Sequence, residues 1–514
     1  MSIRTGAQVT SDLDLTCDVC VVGSGAGGAV VAQRLATAGK SVVVLEDGGF
    51  HTSARFDLTE RNMFARLYQE GGARATADQS MAILQGRAVG GTTVVNWTTC
   101  FRTPERVMAF WAEHHGVEGL THDALVPHWE RIEQRLNVQQ MRLDQVNANN
   151  MVTWRGLDAL GWHKDLLFRN VKNCAHTGYC GMGCVIDAKQ SMLVTFIPEA
   201  VAAGADVYAN AWVEKITFDG RHCTGVVAKV RDPITDRFTG RTITVRPRFT
   251  VLAGGAINTP AMLLRSELDP SGRTGKRTFL HPAVGAVGIH AEHVHPFQGS
   301  PQYVYSDQFV ERDDGGMGFL IEGAPMFPMS MGSIATGLGA ERQAQMELLP
   351  YASLTGVLLH DGFDLSDRDE GATITLQSGG RPKIDYAWTE RLSAGIRDAT
   401  RAALRIQLAA GARQAYTSHG VYVTSEDEID GRFASAKWGP GEVPIFVAHC
   451  MGGCAMGTDP ASSVVDSRTL RHHALDDVFV IDGSVFPTSC SVNPQISIYG
   501  LASWGAEHVR EAVG

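Results

Sequence analysis

A glycine-rich turn near the start of the chain limits the possible folds more than any other segment. Gly23, Gly25, Ala26 and Gly28 lie in a GxGxxG pattern that follows an apolar run and precedes apolar residues at helical spacing. A second apolar run then ends in Glu46. Glycines let a pyrophosphate approach the backbone, the helix N-terminus stabilises its charge, and an acidic side chain binds ribose hydroxyls. The segment therefore predicts a Rossmann-type α/β domain that binds a dinucleotide.

The size and charge of the chain set limits on its class. With 514 residues, of which 44% are hydrophobic and 19% charged, it is expected to be a soluble globular protein of two domains. Its formal net charge of −10 and its lack of strongly basic stretches argue against nucleic acid as a partner. We find no secretory signal pattern and no apolar run of the roughly 18 residues that a membrane span requires. We therefore expect a cytoplasmic enzyme that has at most peripheral membrane contact.

Three later segments combine glycines with strand and helix patterns. Residues 84–97 hold a second glycine cluster, and residues 249–266 are typical of a strand, a turn and a helix. Residues 476–509 repeat that order and add an Asn-Pro step before the final helix. GxGxxG alone does not distinguish an NAD-binding from an FAD-binding domain. The identity of the cofactor therefore has to be inferred from these later segments.

In their order and composition, these segments resemble the glucose–methanol–choline (GMC) flavoprotein oxidoreductases along nearly the whole chain. Residues 86–96 resemble the first signature of that family, residues 254–260 its second, and residues 464–495 its closing block. The resemblance implies a Rossmann-type FAD-binding domain and an α+β substrate domain with an antiparallel sheet. It also implies cofactor contacts from Gly86, Arg87, Gly90, Gly91, Thr93, Asn96, Val213, Ala253, Gly254, Asp482, Gly483, Asn493 and Pro494.

Within that set, the resemblance assigns different parts of FAD to different residues. It implies that Asp482 and Gly483 lie near the pyrophosphate, Val213 near the adenine, and the backbone after Asn493 against the flavin. Some family members attach FAD covalently through a histidine of the first signature. Val95 and Asn96 stand where that histidine could be. We therefore expect FAD to be bound non-covalently.

The resemblance also suggests that the two domains are interleaved along the chain. The FAD-binding domain is expected to comprise residues 10–110, 195–268 and 441–514, and the substrate domain residues 111–194 and 269–440. Alternating apolar and polar residues on both sides of Gly379 and Gly380 predict an antiparallel hairpin in the second domain. Met326, Met329 and Met331 could line an adaptable apolar channel or belong to an ordinary core.

Residues 446–459, FVAHCMGGCAMGTD, place His449 between an apolar run and a glycine pair. Zinc binding by His449, Cys450 and Cys454 is disfavoured by their spacing. A catalytic thiol would lack a recognisable oxyanion site, and a core histidine stays the structural alternative. By resemblance, His449 pairs with Asn493 above the flavin, and the asparagine is similar to that of cholesterol oxidases. Alcohol oxidation needs a proton acceptor with a pKa near neutrality, which histidine supplies, while the amide of Asn493 could hold the substrate oxygen.

A cysteine-containing segment bears on the substrate and on a second cofactor. Cys174, Cys180 and Cys184 lie in a stretch that resembles long-chain alcohol oxidases of plants and yeasts and their bacterial relatives. That resemblance favours a long-chain or bulky hydrophobic alcohol. The same spacing is also similar to the loop that binds a three-iron cluster in flavin-dependent sugar dehydrogenases of this family. We prefer a structural thiol loop, with an iron–sulfur cluster or zinc at these cysteines as alternatives.

The expected function is FAD-dependent oxidation of an alcohol to an aldehyde or ketone. His449 would act as general base, Asn493 would orient the oxygen, and the reduced flavin would pass electrons to dioxygen or another acceptor. No catalytic metal is expected. The alternatives are a sterol or other cyclic secondary alcohol, a sugar, a hydroxynitrile lyase that uses FAD without redox chemistry, and a light-dependent fatty-acid decarboxylase.

Overall fold

Two large β-sheets, each with its own hydrophobic core, organise the chain. The structure is a computed structural model that describes residues 3–335, 337–367 and 370–514. One sheet is mainly parallel and the other almost entirely antiparallel. The chain thus has an α/β part and an α+β part, which is the architecture that the sequence predicts.

The mainly parallel sheet contains the predicted dinucleotide-binding strands. Leu13–Val22 lies between Val42–Glu46 and Phe238–Leu252, and all three run parallel. The last residues of Leu13–Val22 are buried and apolar, as in a strand that is covered on both faces. The strand order is Ile3–Arg4, Asp206–Ala209, Val42–Glu46, Leu13–Val22, Phe238–Leu252, His222–Arg231 and Ala211–Asp219, and Val478–Val480 also pairs with Phe238–Leu252.

Helices from both ends of the chain cover this sheet. Ala26–Thr37 begins directly after the glycine turn and packs against the C-terminal helix Gln495–Val513. That helix also contacts His122–Arg135, which the Thr121 side chain caps by accepting a hydrogen bond from Ala124 N at 3.2 Å. This packing brings the segment before the final helix next to the glycine turn.

The antiparallel sheet is built mostly from the middle of the chain. Its strand order is Tyr422–Val423, Gln414–Thr417, Ala283–Ile289, Ala352–Leu359, Phe319–Ala324, Val304–Phe309 and Asp165–Leu166. Ile445–Val447 pairs with Ala283–Ile289 and with Met81–Ile83, so both outer parts of the chain add a strand. Helices Glu390–Ala409 and Ala148–Ala159 pack against this sheet.

A smaller sheet joins two segments that matter for the site. It contains the predicted hairpin, with strands Ala372–Leu376 and Pro382–Tyr386 on either side of the glycine pair, which confirms that prediction. Ala372–Leu376 pairs with Thr278–Phe279, which pairs in turn with Met451–Gly452. The segment just after His449 is therefore held beside the segment just before His281.

Other elements complete the fold. The further helices are Glu60–Leu67, Glu105–His115, Phe196–Ala202, Gly255–Arg265, Pro328–Ile334, Ala340–Glu347 and Glu428–Ser435, and two short strand pairs are Met456–Gly457 with Val465–Asp466 and Val138–Gln140 with Phe168–Asn170. In the part of the chain that the structure describes, every helix is too short or too polar to cross a lipid bilayer. The proposed domain boundaries stay a prediction, since strands from both proposed domains share sheets.

Candidate active site

A cavity of about 770 Å³ lies where the glycine turn, the C-terminal segment and the antiparallel sheet meet. Of the residues predicted for cofactor binding or catalysis, those that line it are Gly23, Gly25, Ala26, Glu46, Gly86, Arg87, Gly91, Thr93, Asn96, Val213, Ala253, Gly254, His449, Asp482, Gly483, Asn493 and Pro494. Gly28 and Gly90 lie outside the lining. One cavity therefore collects segments from the beginning, the middle and the end of the chain.

The glycine turn is shaped by close backbone contacts. Gly23 has φ of +97°, and a Cβ there would lie 2.4 Å from the carbonyl oxygen of Ala253. A Cβ on Gly28 would lie 2.0 Å from the carbonyl oxygen of Gly23. Gly28 therefore acts through packing of the helix against the turn, whereas Gly23 and Gly25 face the cavity.

Glu46 ends the second strand and is nearly buried. Its carboxylate accepts hydrogen bonds from the backbone N and the hydroxyl of Ser24, at 3.0 and 2.7 Å, and from Gly48 N at 2.7 Å. Burial raises the pKa of this carboxyl, and the three donors oppose that shift. The side chain is thereby fixed at the cavity wall, where an acid can accept hydrogen bonds from ribose hydroxyls.

The loop of residues 86–96 is held by its own polar groups. The Thr93 hydroxyl donates to Gly90 O at 2.6 Å and accepts from Met192 N at 3.0 Å, so it supports the loop. Asn96 Nδ2 donates to Gln495 Oε1 at 2.8 Å. The Oδ1 atom of Asn96 is buried and has no partner among the described residues. An unpaired buried acceptor on a cavity wall is suited to a ligand that donates a hydrogen bond.

Ion pairs between charged residues also line the cavity. Arg87 lies 2.7 Å from a carboxylate oxygen of Asp47 and 2.7 Å from one of Asp236, and Arg231 lies 2.9 Å from Asp47. Burial alone would raise the pKa of Asp47, but the two guanidinium groups outweigh it and lower that pKa. Arg87 is therefore already paired with carboxylates, and its contribution to the cavity is structural as well as electrostatic.

Asp482 joins two segments of the cavity wall. Its Oδ2 accepts from Gly255 N and from the Thr259 hydroxyl, both at 2.7 Å, and its Oδ1 accepts from Ser484 N at 2.8 Å. The side chain thus ties the start of helix Gly255–Arg265 to the turn after the last strand of the sheet. Gly254 and Gly483 present backbone to the cavity on either side of this link.

His449 follows strand Ile445–Val447 and lines the cavity. Its Nδ1 lies 3.2 Å from Nδ1 of His281, and the two ring centroids are 5.2 Å apart. Burial lowers the pKa of His449 to about 4, so the ring is neutral at pH 7. This value is lower than the near-neutral pKa that the sequence suggests for a general base, because the imidazolium would be poorly solvated.

Asn493 lines the same cavity from the segment before the C-terminal helix. Its Nδ2 donates to Glu322 Oε2 at 3.4 Å, and its Oδ1 is buried without a partner among the described residues. Gln302 Nε2 donates to the same carboxylate oxygen at 2.5 Å. Burial raises the pKa of Glu322 to about 7, against the opposing effect of these two donors. The cavity therefore holds a carboxyl that titrates near neutral pH.

Glu322 and His281 are not among the site residues that the sequence predicts. Glu322 lies in the otherwise apolar strand Phe319–Ala324, and it is 2% exposed. A single acidic residue within such a strand is a signal that could have identified it, because buried carboxylates are rare without a partner or a function. His281 follows strand Thr278–Phe279 and carries no comparable local signal.

The three cysteines of the predicted thiol loop have separate partners. Cys174 Sγ lies 3.7 Å from the Ser300 hydroxyl, and Cys184 Sγ accepts from Lys189 N at 3.4 Å. Cys180 Sγ lies 3.6 Å from a guanidinium nitrogen of Arg169, and burial raises its pKa. Over the described ranges, no three histidine, cysteine or acidic side chains come together in a way that could hold a metal ion. Each of the three thiols thus has its own polar contact within the protein.

Met326, Met329 and Met331, for which the sequence left a channel and a core open, do not line this cavity. Met326 and Met331 are buried in a small separate core with Val287 and Ile289, and Met329 is 41% exposed. Ordinary core packing therefore accounts for Met326 and Met331. The apolar lining of the cavity comes instead from other residues, among them Ala283, Leu358, Phe446 and Val447.

Known proteins resemble this chain in sequence and in fold. An uncharacterized GMC-type oxidoreductase of Mycobacterium tuberculosis is 34% identical over 97% of this chain and 76% of its own length. A long-chain-alcohol oxidase of Arabidopsis thaliana is 29% identical over 97% of this chain and 69% of its own length. The crystal structure of formate oxidase superposes with a TM-score of 0.71 at 14% identity, covering 98% of this chain and 99% of that one. Pyridoxine 4-oxidase from Mesorbium loti gives 0.68 at 17% identity, covering 96% and 98%.

The fold comparisons confirm the predicted architecture of two domains, one α/β and one α+β. The family models described as GMC oxidoreductase match residues 64–283 for the N-terminal part and residues 367–502 for the C-terminal part. These two ranges contain His449, Asn493 and most of the predicted cofactor residues, and the relatives align along nearly the whole chain. The chain therefore belongs to the GMC oxidoreductase family.

Proposed function

We propose that this chain oxidises a hydrophobic alcohol to an aldehyde or ketone with FAD as its cofactor. The observation that carries the proposal is that His449 and Asn493 line the same cavity as the glycine turn and Glu46. A cofactor held by the turn and an alcohol held by His449 and Asn493 would share one cavity. The membership of an oxidoreductase family supports redox chemistry at that site.

The residues present suit FAD. Gly23 and Gly25 expose backbone at the start of helix Ala26–Thr37, where a pyrophosphate is stabilised by N–H groups and the helix dipole. Glu46 would accept from ribose hydroxyls, and the unpaired Oδ1 of Asn96 would accept from a donor on the cofactor. When bound, FAD would supply the acceptor for the hydride that leaves the alcohol carbon. We expect binding to be non-covalent, since Val95 and Asn96 replace the histidine that anchors FAD in some relatives.

His449 would take the hydroxyl proton on Nε2. Its Nδ1 faces His281, so Nε2 is the ring nitrogen available to the cavity. The neutral ring, which burial favours at pH 7, has a lone pair for that proton. Loss of the proton makes the carbon a better hydride donor, and an enclosed base of this kind accelerates such steps by roughly 10²- to 10⁴-fold.

Asn493 would orient the alcohol oxygen. A primary amide carries two N–H groups, and one of those on Asn493 is directed to Glu322 Oε2 at 3.4 Å. Because Nδ2 makes no other hydrogen bond to a described residue, its second N–H could donate to the substrate oxygen as negative charge develops on it. Glu322 and Gln302 hold the amide in place, so they are positioning residues in this proposal.

The substrate class is supported by two observations. Ala283, Leu358 and Phe446 line the cavity, and they give an alcohol's hydrocarbon part an apolar surface. Several of the similar proteins are long-chain-alcohol oxidases, and they cover nearly the whole chain. A long-chain or bulky hydrophobic alcohol fits both, with dioxygen or another acceptor taking the electrons afterwards.

An anaerobic screen tests the proposal. The purified yellow protein is mixed without oxygen with linear alcohols, aryl alcohols, sterols and sugars, and the visible flavin band is followed. Bleaching by long-chain alcohols is the expected result, and bleaching by sterols or sugars alone would overturn the substrate class. Product formation without bleaching would indicate a lyase, and strict light dependence on a fatty acid would indicate a decarboxylase.

A substitution tests the role of the base. We expect His449→Ala to slow flavin reduction about a hundredfold or more while FAD stays bound, because the proton acceptor is lost. His508→Ala is the matched control, since His508 lies on the C-terminal helix away from the cavity lining. An unchanged rate in His449→Ala would remove this residue from the mechanism.

A further inference from the structure

His281 is fixed in the protein interior by an unusual backbone arrangement. The residue is fully buried and has φ of +52°, a left-handed conformation that side-chain-bearing residues seldom adopt. The backbone N–H groups of Leu280 and His281 both donate to the Asp361 carboxylate, at 2.9 and 3.1 Å. Tyr386 OH donates to the same carboxylate at 3.0 Å. A strained residue that is held by several groups in this way is more common at functional sites than elsewhere.

The imidazole of His281 has one hydrogen-bond partner among the described residues, and that partner is His449. The two Nδ1 atoms are 3.2 Å apart, so a single proton must lie between them and one ring must be the acceptor. The Nε2 atom of His281 is buried without a partner in the described part of the chain. The arrangement therefore links the tautomer of His449 directly to that of His281.

We propose that His281 accepts the Nδ1–H of His449 and thereby holds the Nε2 lone pair of His449 toward the cavity. The inference rests on the proposed function, because it concerns the base of that reaction. In the opposite arrangement His281 would donate to His449, and the proton on Nε2 of His449 would prevent it from taking the hydroxyl proton. His281 is thus a positioning residue that acts through His449.

The same contact would stabilise the protonated base. When His449 receives the hydroxyl proton on Nε2, its Nδ1–H becomes a charge-assisted donor to the neutral His281 ring. Nearby ionisable groups do not replace this acceptor: the His360 ring is 5.4 Å from that of His281, and Asp361 is engaged by backbone N–H groups and Tyr386. Two further charged groups affect these residues and not His281 directly. Arg106 lowers the pKa of His360, and Glu370 raises the pKa of Asp361.

Three substitutions of His281 separate the acceptor from the packing. His281→Asn places an oxygen near the former Nδ1 position and tolerates positive φ, so it should keep flavin reduction within about fivefold. His281→Leu fills similar space without an acceptor and should slow reduction roughly ten- to a hundredfold, the size of effect seen when a metal-binding histidine loses its orienting partner. His281→Asp should move the acid limb of the pH–rate profile upward by about one pH unit or more, because an anion stabilises the imidazolium.

His360→Leu is the matched control. It removes a buried histidine that neighbours His281 but does not bond to His449, so it should leave the pH–rate profile in place. Equal slowing by His281→Leu and His360→Leu, with no rescue by His281→Asn, would indicate packing alone and would overturn the proposal. If one of these variants does not fold, the remaining variants and the ¹⁵N NMR measurement described below still test the proposal.

The tautomer can be measured directly in the oxidised holoenzyme without substrate. In ¹⁵N NMR of histidine-labelled protein, the His449 signals are identified by their loss in His449→Ala, and we expect Nδ1 protonated and Nε2 bare. A proton on Nε2 would overturn the inference whatever the kinetics. If His449→Ala instead left flavin reduction unchanged, the proposed function would fail, and the ring nitrogens would still report whether His281 is the acceptor.

Discussion

Asn493 and Glu322 form a hydrogen bond of 3.4 Å between two nearly buried side chains on the wall of the cavity. The pairing links a residue before the C-terminal helix to a strand of the antiparallel sheet, so the catalytic end of the cavity depends on both cores. Because the pKa of Glu322 is raised to about 7, the strength of this contact varies around neutral pH. A pH dependence therefore follows from the pair.

The first prediction concerns the rate of flavin reduction. Above pH 7 the Glu322 carboxylate accepts strongly from Asn493 and holds its amide, and below pH 7 the protonated acid is a weaker acceptor. We expect the rate at saturating alcohol to rise severalfold through about pH 7 in the native protein. In Glu322→Gln the rate should be lower at pH 8 and flat between pH 6 and 8, as stopped-flow absorbance can measure.

A second limb of the pH–rate profile, at lower pH, should distinguish the titration of Glu322 from that of His449. The pKa of His449 is lowered to about 4 by burial, so its protonation should affect the rate well below the range of Glu322. A limb near pH 7 that persists in Glu322→Gln would mean that another group titrates there and that the contact with Asn493 does not control the rate.

Stability should change in the opposite direction to activity in the same variant. The folded-state pKa of Glu322 lies above its ordinary value of 4.5, so the folded protein binds this proton more tightly than the unfolded chain. The stabilisation from that proton is complete below about pH 4.5 and is lost as the pH rises through about 7. A shift of this size corresponds to about 3 kcal/mol. Glu322→Gln should therefore raise the free energy of unfolding at pH 8 by up to that amount.

Denaturant unfolding of the holoprotein at two pH values checks this result. The gain should be large at pH 8 and small at pH 5, where the native Glu322 is already protonated. Glu511→Gln is the control, because Glu511 is well exposed at the end of the C-terminal helix and should change stability by less than about 0.5 kcal/mol at either pH. A loss of stability in Glu322→Gln at pH 8 would contradict the buried, costly carboxylate.

The sequence was sufficient for the parts of the site that depend on local backbone geometry. Gly23, Gly25, Gly28 and Glu46 are separated by short stretches, and their spacing alone places them after the end of one strand, at the start of the following helix and at the end of the next strand. The hairpin around Gly379 follows from alternation and turn residues in the same way. Such patterns are informative because neighbours along the chain determine them.

The parts that depend on tertiary contacts were not predictable from the same patterns. His281 matters because Met451–Gly452 pairs with Thr278–Phe279 and places two histidines side by side, and no local pattern encodes a pairing across 168 residues. The pKa of Glu322 is raised because burial outweighs the opposing hydrogen bonds from Gln302 and Asn493, and all three depend on contacts between distant segments. Resemblance to a family supplied His449 and Asn493, but not the groups that hold them.

The cysteine loop gives a prediction about metal content. Because Cys174, Cys180 and Cys184 have separate partners, we expect purified protein to contain flavin and much less than one iron per chain by elemental analysis. Cys184→Ser should leave the visible spectrum and the rate of flavin reduction unchanged. Stoichiometric iron with broad absorption beyond the flavin bands, lost in Cys184→Ser, would restore the iron–sulfur alternative.

The last prediction uses two glycines with positive φ to separate backbone strain from cofactor contact. A Cβ on Gly91 would lie 2.6 Å from the Cα of Gly25, so Gly91→Ala must push apart the two loops that face the cavity. Gly39 has φ of +79° with nothing within 4 Å, so Gly39→Ala costs only the left-handed strain, about 1 kcal/mol. In fluorescence titrations of apoprotein with FAD, we expect Gly91→Ala to raise the dissociation constant at least tenfold, about 1.4 kcal/mol, and Gly39→Ala to leave it unchanged. Equal affinities in the two variants would mean that the loops do not meet at the cofactor.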